Sequence, residues 1–336
     1  MRRQPIPRSG RRQLFSAWTA IRGEQRHGYA AAGIAAPTAS SSIPFLPHWR
    51  TKQPHGLPPV LTVAGSDSSG GAGIQADLKT MMANGVFGMS AITSLTVQNT
   101  TGVRDVQNAE PRVLAEQVDA VFEDIPPMAV KIGMVSSADL IETIAERLSA
   151  HQARNIVLDP VMVATSGAKL IDDDAVAALT SKLFPLATVI TPNMPETEAL
   201  LEQALQERSS ADDAPAARLL SAGIRTEADM EMAGRTLAEH FGCAVLVKGG
   251  HGVKDANDVL VEPDGTATWF TSPRIDNPNT HGTGCTLSSA IASHLALGET
   301  LPQAVRSAKD YLTGALAEQL DLGRGSGPMD HAWRWR

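Results

Sequence analysis

Val60-Leu61-Thr62-Val63-Ala64 runs straight into Gly65-Ser66-Asp67-Ser68-Ser69-Gly70-Gly71-Ala72-Gly73. A short β-rich apolar run thus ends in a glycine-rich turn, and a helical pattern continues to Asn84. The unit recurs. Met89 to Val97, Met128 to Ile132, Asn155 to Leu158, Thr188 to Thr191 and Ala244 to Val247 read as strands. Pro111 to Phe122, Ala138 to Leu148, Asp172 to Leu183, a helix starting at Pro195 to Leu201, and Glu227 to Phe241 read as the intervening helices. Val259 to Glu262 and Ala267 to Thr271 flank Pro263-Asp264-Gly265, a hairpin turn. Thr283 to Leu297 and Leu301 to Leu320 are the last two helices. Strands alternating with helices of this length predict an α/β fold with a mostly parallel central sheet covered on both faces. No internal repeat is visible. Residues 203–224, polar and Ala/Ser-rich, read as a surface insertion.

The chain has 336 residues, 43% hydrophobic and 19% charged, enough to bury a large core. Charge is unevenly spread. Of 29 Lys/Arg and 36 Asp/Glu, nine and one fall in residues 1–56, leaving 20 and 35 in the remainder. That acidic body argues against a nucleic-acid partner, which needs a basic footprint. An anionic ligand remains compatible, because local amides and one or two cations can hold a phosphate. Two cysteines, Cys243 and Cys285, imply no disulfide framework and suit a reducing compartment. No apolar run is long enough to span a membrane.

Residues 1–56 form a basic extension, separate from a domain over 57–336. The extension reads as a disordered tail or the product of an upstream start codon. Its basic, acid-poor composition also suits an organellar transit peptide, and Arg11-Arg12-Gln13-Leu14-Phe15 faintly suits an export signal. The domain itself is expected in the cytoplasm.

Ligands of open parallel sheets sit at the carboxyl ends of the strands, and the candidate residues lie there. Thr280-His281-Gly282-Thr283-Gly284-Cys285-Thr286 directly precedes the apolar helix Leu287 to Leu297. Two glycines let the backbone turn its amides toward one point, and a helix N-terminus favours negative charge. An anion hole for a transferring phosphoryl group follows, though a plain glycine-rich helix start has the same pattern. Cys285 at that terminus is expected to be acidified, unless it is simply a packed thiol. Lys248 closes the apolar strand Val245-Leu246-Val247 and can reach a terminal phosphate, or sit solvated before a turn; His251 reads as a loop residue. Asn193 and Glu196 in Thr191-Pro192-Asn193-Met194-Pro195-Glu196 can organise a hydrated Mg²⁺ or cap a helix. Asp159 before Pro160 is a metal or phosphate-site candidate or a turn residue. Gly70-Gly71-Ala72-Gly73 lacks the Gly-Lys-Ser/Thr ending of a Walker loop. Gln98 offers a donor and an acceptor, suited to a heteroaromatic amine edge, or is a loop amide.

In order, the stretch Ala64 to Asp77, Gln98-Asn99-Thr100, Lys131-Ile132-Gly133-Met134, Leu158-Asp159-Pro160-Val161-Met162, Thr191 to Glu196, Val247-Lys248-Gly249-Gly250-His251 and Asn279 to Leu287 resemble the hydroxymethylpyrimidine/phosphomethylpyrimidine kinase family. The tail Gly325-Ser326-Gly327-Pro328 with His331-Ala332-Trp333 fits as well, so the resemblance covers about residues 58–336. It implies a ribokinase-like three-layer αβα sandwich. It implies two ATP-dependent phosphorylations in thiamine biosynthesis, of 4-amino-5-hydroxymethyl-2-methylpyrimidine and then of its monophosphate, with Mg²⁺. Gln98 would read the ring, Ala72, Thr96, Met134 and Val161 would wall it, and Asp77 would assist. Cys285 matches the position of a catalytic aspartate in related sugar kinases. Gly282, Thr283 and Gly284 would bind the transferring phosphate, Lys248 would meet the γ-phosphate, and Asp159, Asn193 and Glu196 would organise metal and phosphates. A homo-oligomer is expected. Pyridoxal kinase, of the same superfamily, is the nearest alternative, and a non-catalytic pyrimidine-binding module the alternative of another class. The longer 203–224 segment and the leader depart from compact members without touching a matched motif.

Overall fold

A computed structural model describes residues 56–162, 173–208, 214–250 and 255–336. The basic leader to residue 55 and His251 lie outside the described residues. Nine strands form one sheet in the order β3-β2-β1-β4-β5-β6-β7-β8-β9. The strands are β1 Pro59–Asp67, β2 Phe87–Asn99, β3 Gly102–Asn108, β4 Ala129–Ile132, β5 Ile156–Leu158, β6 Val189–Ile190, β7 Ala244–Lys248, β8 Asp258–Val261 and β9 Ala267–Phe270. The run from β2 to β7 is parallel, while β3, β8 and β9 pair antiparallel with their neighbours. The helices are α1 Gly73–Ala83, α2 Pro111–Asp124, α3 Ala138–Ala150, α4 Asp173–Ala178, α5 Met194–Arg208, α6 Ala214–Ala222, α7 Glu227–Phe241, α8 Thr283–Ala296 and α9 Leu301–Ala317.

Period-two alternation sends neighbouring strand residues to opposite layers. Leu61, Val63, Val130, Ile132, Val245 and Val247 join a core with Leu114 of α2, Ile144 of α3, Leu200 of α5 and Leu237 of α7. Val60, Ala129, Val157, Ala244 and Leu246 join a second core with Met81 of α1, Ile291 of α8 and Val305 of α9. Each Val, Leu, Ile or Met among them contributes about 1.5–3 kcal/mol when fully buried. This is the three-layer sandwich expected from the alternation.

Three features differ from the sequence reading. First, β2 runs on to Asn99 and pairs with β3, which the polar run Gly102–Asn108 did not signal. Five of the seven β3 residues are exposed, so no buried face leaves an apolar alternation to read. Second, 203–224 is not merely a surface insertion. α5 continues to Arg208, and Ala204, Ala216, Leu219 and Ile224 are buried in the first core. A largely polar helix that buries one narrow face of Ala and Leu shows little apolar pattern, so its composition concealed the packing. Third, α4 ends in a π-helical turn, Leu179–Leu183, that places Leu179 and Leu183 in the core. The hairpin at Pro263-Asp264-Gly265 forms between β8 and β9 as expected. No helix among the described residues is long and apolar enough to cross a membrane.

Candidate active site

A cleft of about 1230 Å³ opens across the carboxyl ends of the parallel strands. One drug-sized ligand fills roughly 300–1,000 Å³, so the cleft can take a nucleotide beside a small ring. Thr96 and Gln98 of β2 line one end, with Ala72, Met134 and Val161. Asn193, Glu196 and Lys248 line the other. From β2 to β7 is five strand spacings, roughly 24 Å. Between the ends stands the first turn of α8, with Gly282, Thr283, Gly284 and Cys285 all on the wall.

The start of α8 is built by backbone demands. Gly282 is its N-cap at φ +87°, a left-handed conformation that favours glycine. A Cβ there would also run into the carbonyl oxygen of Gly71. The loop after β1 and the start of α8 are therefore locked together. Gly284 serves close approach instead. A Cβ on it would lie 2.9 Å from Asp159 Oδ2 and 3.5 Å from Lys248 Nζ. The positive end of α8 consequently faces an ion pair.

That pair is Lys248 Nζ to Asp159 Oδ1, 2.8 Å, with Thr191 Oγ1 donating to the same oxygen at 2.9 Å. Burial alone would raise the Asp159 carboxyl, but the Lys248 and Lys131 cations hold it below the usual carboxylate range. Burial opposes the charge on Lys248, and Asp159 and Glu196 overcome that and raise its pKa. Glu196 is different. Burial pushes it up to about 7, with Asp159 adding to the rise and Lys248 opposing it. Asn193 and Glu196 also form a reciprocal cap. Asn193 N donates to Glu196 Oε2 at 2.7 Å and Glu196 N donates to Asn193 Oδ1 at 2.9 Å. The capping alternative is thus realised at residues that also line the cleft.

Cys285 departs from expectation. The helix terminus does not acidify it: burial pushes the thiol up to about 11, with Lys131 lowering it and Asp77 and Asp159 raising it further. Desolvation outweighs the N-terminal dipole, and the two carboxylates add to the rise.

Asp77 lies below the cleft rather than on its wall. It is fully buried and accepts from Lys131 Nζ at 2.9 and 2.8 Å, from Thr62 Oγ1 at 2.6 Å and from Ser289 Oγ at 2.6 Å. This node ties β1, α1, β4 and α8 together. Ser289 is one turn after Cys285, on the same helix face, so the node sits directly beneath the thiol. The sequence reading did not single out Lys131. A lysine inside the wholly buried strand Ala129–Ile132 was the available signal, since such a charge needs a buried partner.

Asp67 and His281 were also missed as individual residues. Asp67 accepts from Ser69 N and Oγ, Gly71 N and Ala72 N at 2.7–3.0 Å, and lies 2.8 Å from His281 Nε2. Burial opposes its ionisation, yet these donors, the histidine foremost, hold it well below the usual carboxylate range. The C-terminal tail closes this end: Gly327 N donates to Asn279 Oδ1 and His281 N to the Gly327 carbonyl.

Residues 67–220 and 212–330 match the family model described as phosphomethylpyrimidine kinase. The hydroxymethylpyrimidine/phosphomethylpyrimidine kinase of Escherichia coli K12 is 46% identical over 279 residues, 82% of this chain and 97% of that protein. The chain spans only 56% of the thiamine biosynthesis bifunctional protein ThiED of Geobacter sulfurreducens, to which it is 47% identical over 295 residues. Among solved structures, phosphomethylpyrimidine kinase from Clostridium difficile aligns with TM-score 0.62 at 43% identity, covering 76% of this chain and 98% of that one. The ADP complex of Bacillus subtilis pyridoxal kinase aligns with TM-score 0.70 at 35% identity, covering 83% and 99%. With the sheet, the cleft and the glycine-led α8 in agreement, this chain belongs to the phosphomethylpyrimidine kinase family.

Proposed function

We propose that the chain transfers the γ-phosphoryl group of ATP to the hydroxymethyl oxygen of 4-amino-5-hydroxymethyl-2-methylpyrimidine, and then a second one to the resulting monophosphate. The observation that carries this reading is the placement of the α8 N-terminus against the Asp159–Lys248 pair, on a cleft that Gln98, Thr96 and Met134 also line. In the first step the hydroxymethyl oxygen bonds to the γ-phosphorus, the bond to the bridging oxygen breaks, and ADP leaves. Phosphoryl transfer asks mainly for positioning and charge stabilisation. The Gly284 and Cys285 amides in the first turn of α8 face the equatorial oxygens, and Lys248 supplies the cation.

Cys285 is the proton acceptor of the first step in this reading. Its thiolate is scarce near neutrality but correspondingly basic. The second step attacks through a phosphate oxygen that is already ionised, so no base is required.

Mg²⁺ fits the donors present. Among the described residues no three His, Cys, Asp or Glu side chains cluster as a dedicated cage. Asp159, ionised and with Oδ2 turned toward the α8 terminus, and Glu196 could hold the ion jointly with phosphates, which is how Mg²⁺ is commonly bound. Bound there, it would draw off charge from the transferring group.

Pyridoxal kinase is the second reading, favoured by the higher TM-score of the Bacillus subtilis pyridoxal kinase. Fold similarity alone does not separate two ring substrates that each carry a hydroxymethyl arm. The test is incubation with ATP and Mg²⁺ and, separately, the hydroxymethylpyrimidine, its monophosphate and pyridoxal, with products resolved by mass. Diphosphate from the monophosphate is expected. Phosphorylation of pyridoxal alone would transfer the protein to the second reading.

A further inference from the structure

Gln98 sits between two partners whose hydrogen-bonding capacity is already committed. Its Nε2 is placed 3.2 Å from His281 Nε2, and its Oε1 3.2 Å from Thr96 Oγ1. His281 Nε2 is also 2.8 Å from Asp67 Oδ2. Asp67 is an ionised acceptor that takes the Gly71 and Ala72 amides on that same oxygen. A contact of 2.8 Å to it is attractive only if His281 Nε2 carries a hydrogen and donates. A ring nitrogen carrying hydrogen has no lone pair left to accept from an amide NH₂.

The other neighbour imposes the same constraint independently. Thr96 Oγ1 lies 2.7 Å from the Ser66 carbonyl oxygen, which can only accept. The single hydroxyl hydrogen is spent there, so toward Gln98 this oxygen can only accept. Thr96 therefore demands NH₂ on its side, and His281, whose Nε2 hydrogen already goes to Asp67, excludes an NH₂ on its own side but tolerates an oxygen; both favour the reverse of the placed amide. The two ends of a planar amide occupy nearly the same positions, so the reversal requires no other movement. The Gln98 backbone stays pinned, because Ser68 Oγ donates to its carbonyl at 2.8 Å and accepts from its N–H at 3.1 Å.

We propose that His281, held by Asp67 with its hydrogen on Nε2, sets the Gln98 amide in that orientation and so determines which ring edge the cleft accepts. The open edge of the amide then presents an acceptor on the His281 side and a donor on the Thr96 side. The matching ligand edge carries a donor toward His281 and an acceptor toward Thr96, as an amino group beside a ring nitrogen does. A ring with a hydroxyl beside an aldehyde can instead spend the hydroxyl hydrogen on its own carbonyl oxygen, which leaves acceptors at both positions. His281 is thus a positioning residue for substrate choice, and this step rests on the hydroxymethylpyrimidine reading above.

The test has two arms. Nitrogen-15 spectra of the full chain labelled at histidine, without substrate, should show His281 hydrogenated at Nε2. A hydrogen on Nδ1 alone would overturn the proposal whatever the enzyme's activity. In the second arm, His281→Leu should raise KM for the hydroxymethylpyrimidine about tenfold, the scale of one misdirected hydrogen bond, with a smaller change in kcat and in KM for pyridoxal. His281→Gln, which restores a donor at the Nε2 position, should recover most of the loss. Equal losses on both rings, or no rescue by glutamine, would mean His281 only packs. Wild-type protein that leaves the hydroxymethylpyrimidine unphosphorylated would sink the functional reading instead, and the spectra would still decide the orientation of the amide.

Discussion

Lys248 Nζ stands 2.8 Å from Asp159 Oδ1, so the cation closing β7 and the carboxylate following β5 act as one unit across β6. Neither residue is then free to change alone. Lys248→Ala should lower kcat for both phosphorylations by about 10²–10³, the scale of losing one preorganised charge contact in a phosphoryl or acyl transfer site. Steady-state kinetics with the hydroxymethylpyrimidine and with its monophosphate reads this directly. A loss confined to one of the two would contradict a role at the γ-phosphate, which both steps share.

Gly284→Ala separates function from stability. Alanine is better than glycine inside a helix by about 0.5–1 kcal/mol, so the fold should not suffer. The added Cβ, however, would stand 2.9 Å from Asp159 Oδ2, where the phosphoryl group must pass. Activity should fall at least about a hundredfold with thermal stability unchanged or slightly raised. Gly282→Ala should lose both, because its φ of +87° and the Gly71 carbonyl oppose any side chain. Thermal melts beside initial rates distinguish the two variants, and equal melting losses would refute the distinction.

The Cys285 thiol supplies a pH signature. With its pKa pushed up to about 11, the thiolate fraction rises about tenfold per pH unit through neutrality. If that thiolate takes the hydroxymethyl proton, the first phosphorylation should speed up steadily between pH 7 and 9, with no plateau. The second should stay flat, and Cys285→Ala should remove the slope from the first while sparing the second. Stability moves the opposite way. A thiol whose folded pKa exceeds its ordinary value near 9 stabilises the fold fully below pH 9, and that contribution is lost as pH climbs toward 11. A pH-independent first step would remove Cys285 from proton transfer.

The residues that line the cleft were legible because glycines, strand ends and a helix start announce themselves locally. Lys248, Asp159 and Gln98 come to one surface at the carboxyl ends of β7, β5 and β2, and Gly282 and Gly284 join them at the start of α8. What escaped were properties set by residues distant in sequence. The acidity of Cys285 is set first by its burial and then by Lys131, Asp77 and Asp159, none of them adjacent to it in the chain. The family resemblance implied that Asp77 assists at the substrate, yet its helix turns it inward to Lys131. β3 escaped for another reason: a strand with no buried residue on either face carries no apolar alternation.

Lys131 gives the sharpest test of that inward network. It is fully buried, and among the described residues its charge is matched at contact distance by Asp77, 2.8 Å away. Burial would lower its pKa, but Asp77, with help from Cys285 and Asp159, raises it and keeps the cation charged. Lys131→Met leaves Asp77 as a buried anion with only the Thr62 and Ser289 hydroxyls, which should destabilise the protein by about 3–5 kcal/mol. The double variant Lys131→Met/Asp77→Asn removes both charges, so chemical denaturation should show a smaller loss than for the single one. Kinetics should not recover in parallel. Without the cation beneath it, Cys285 becomes a still weaker acid, and the first phosphorylation should remain slow while the second improves with folding. If the double variant instead regains both steps together, the buried pair is a structural tie only, and its position beneath the thiol carries no chemical consequence.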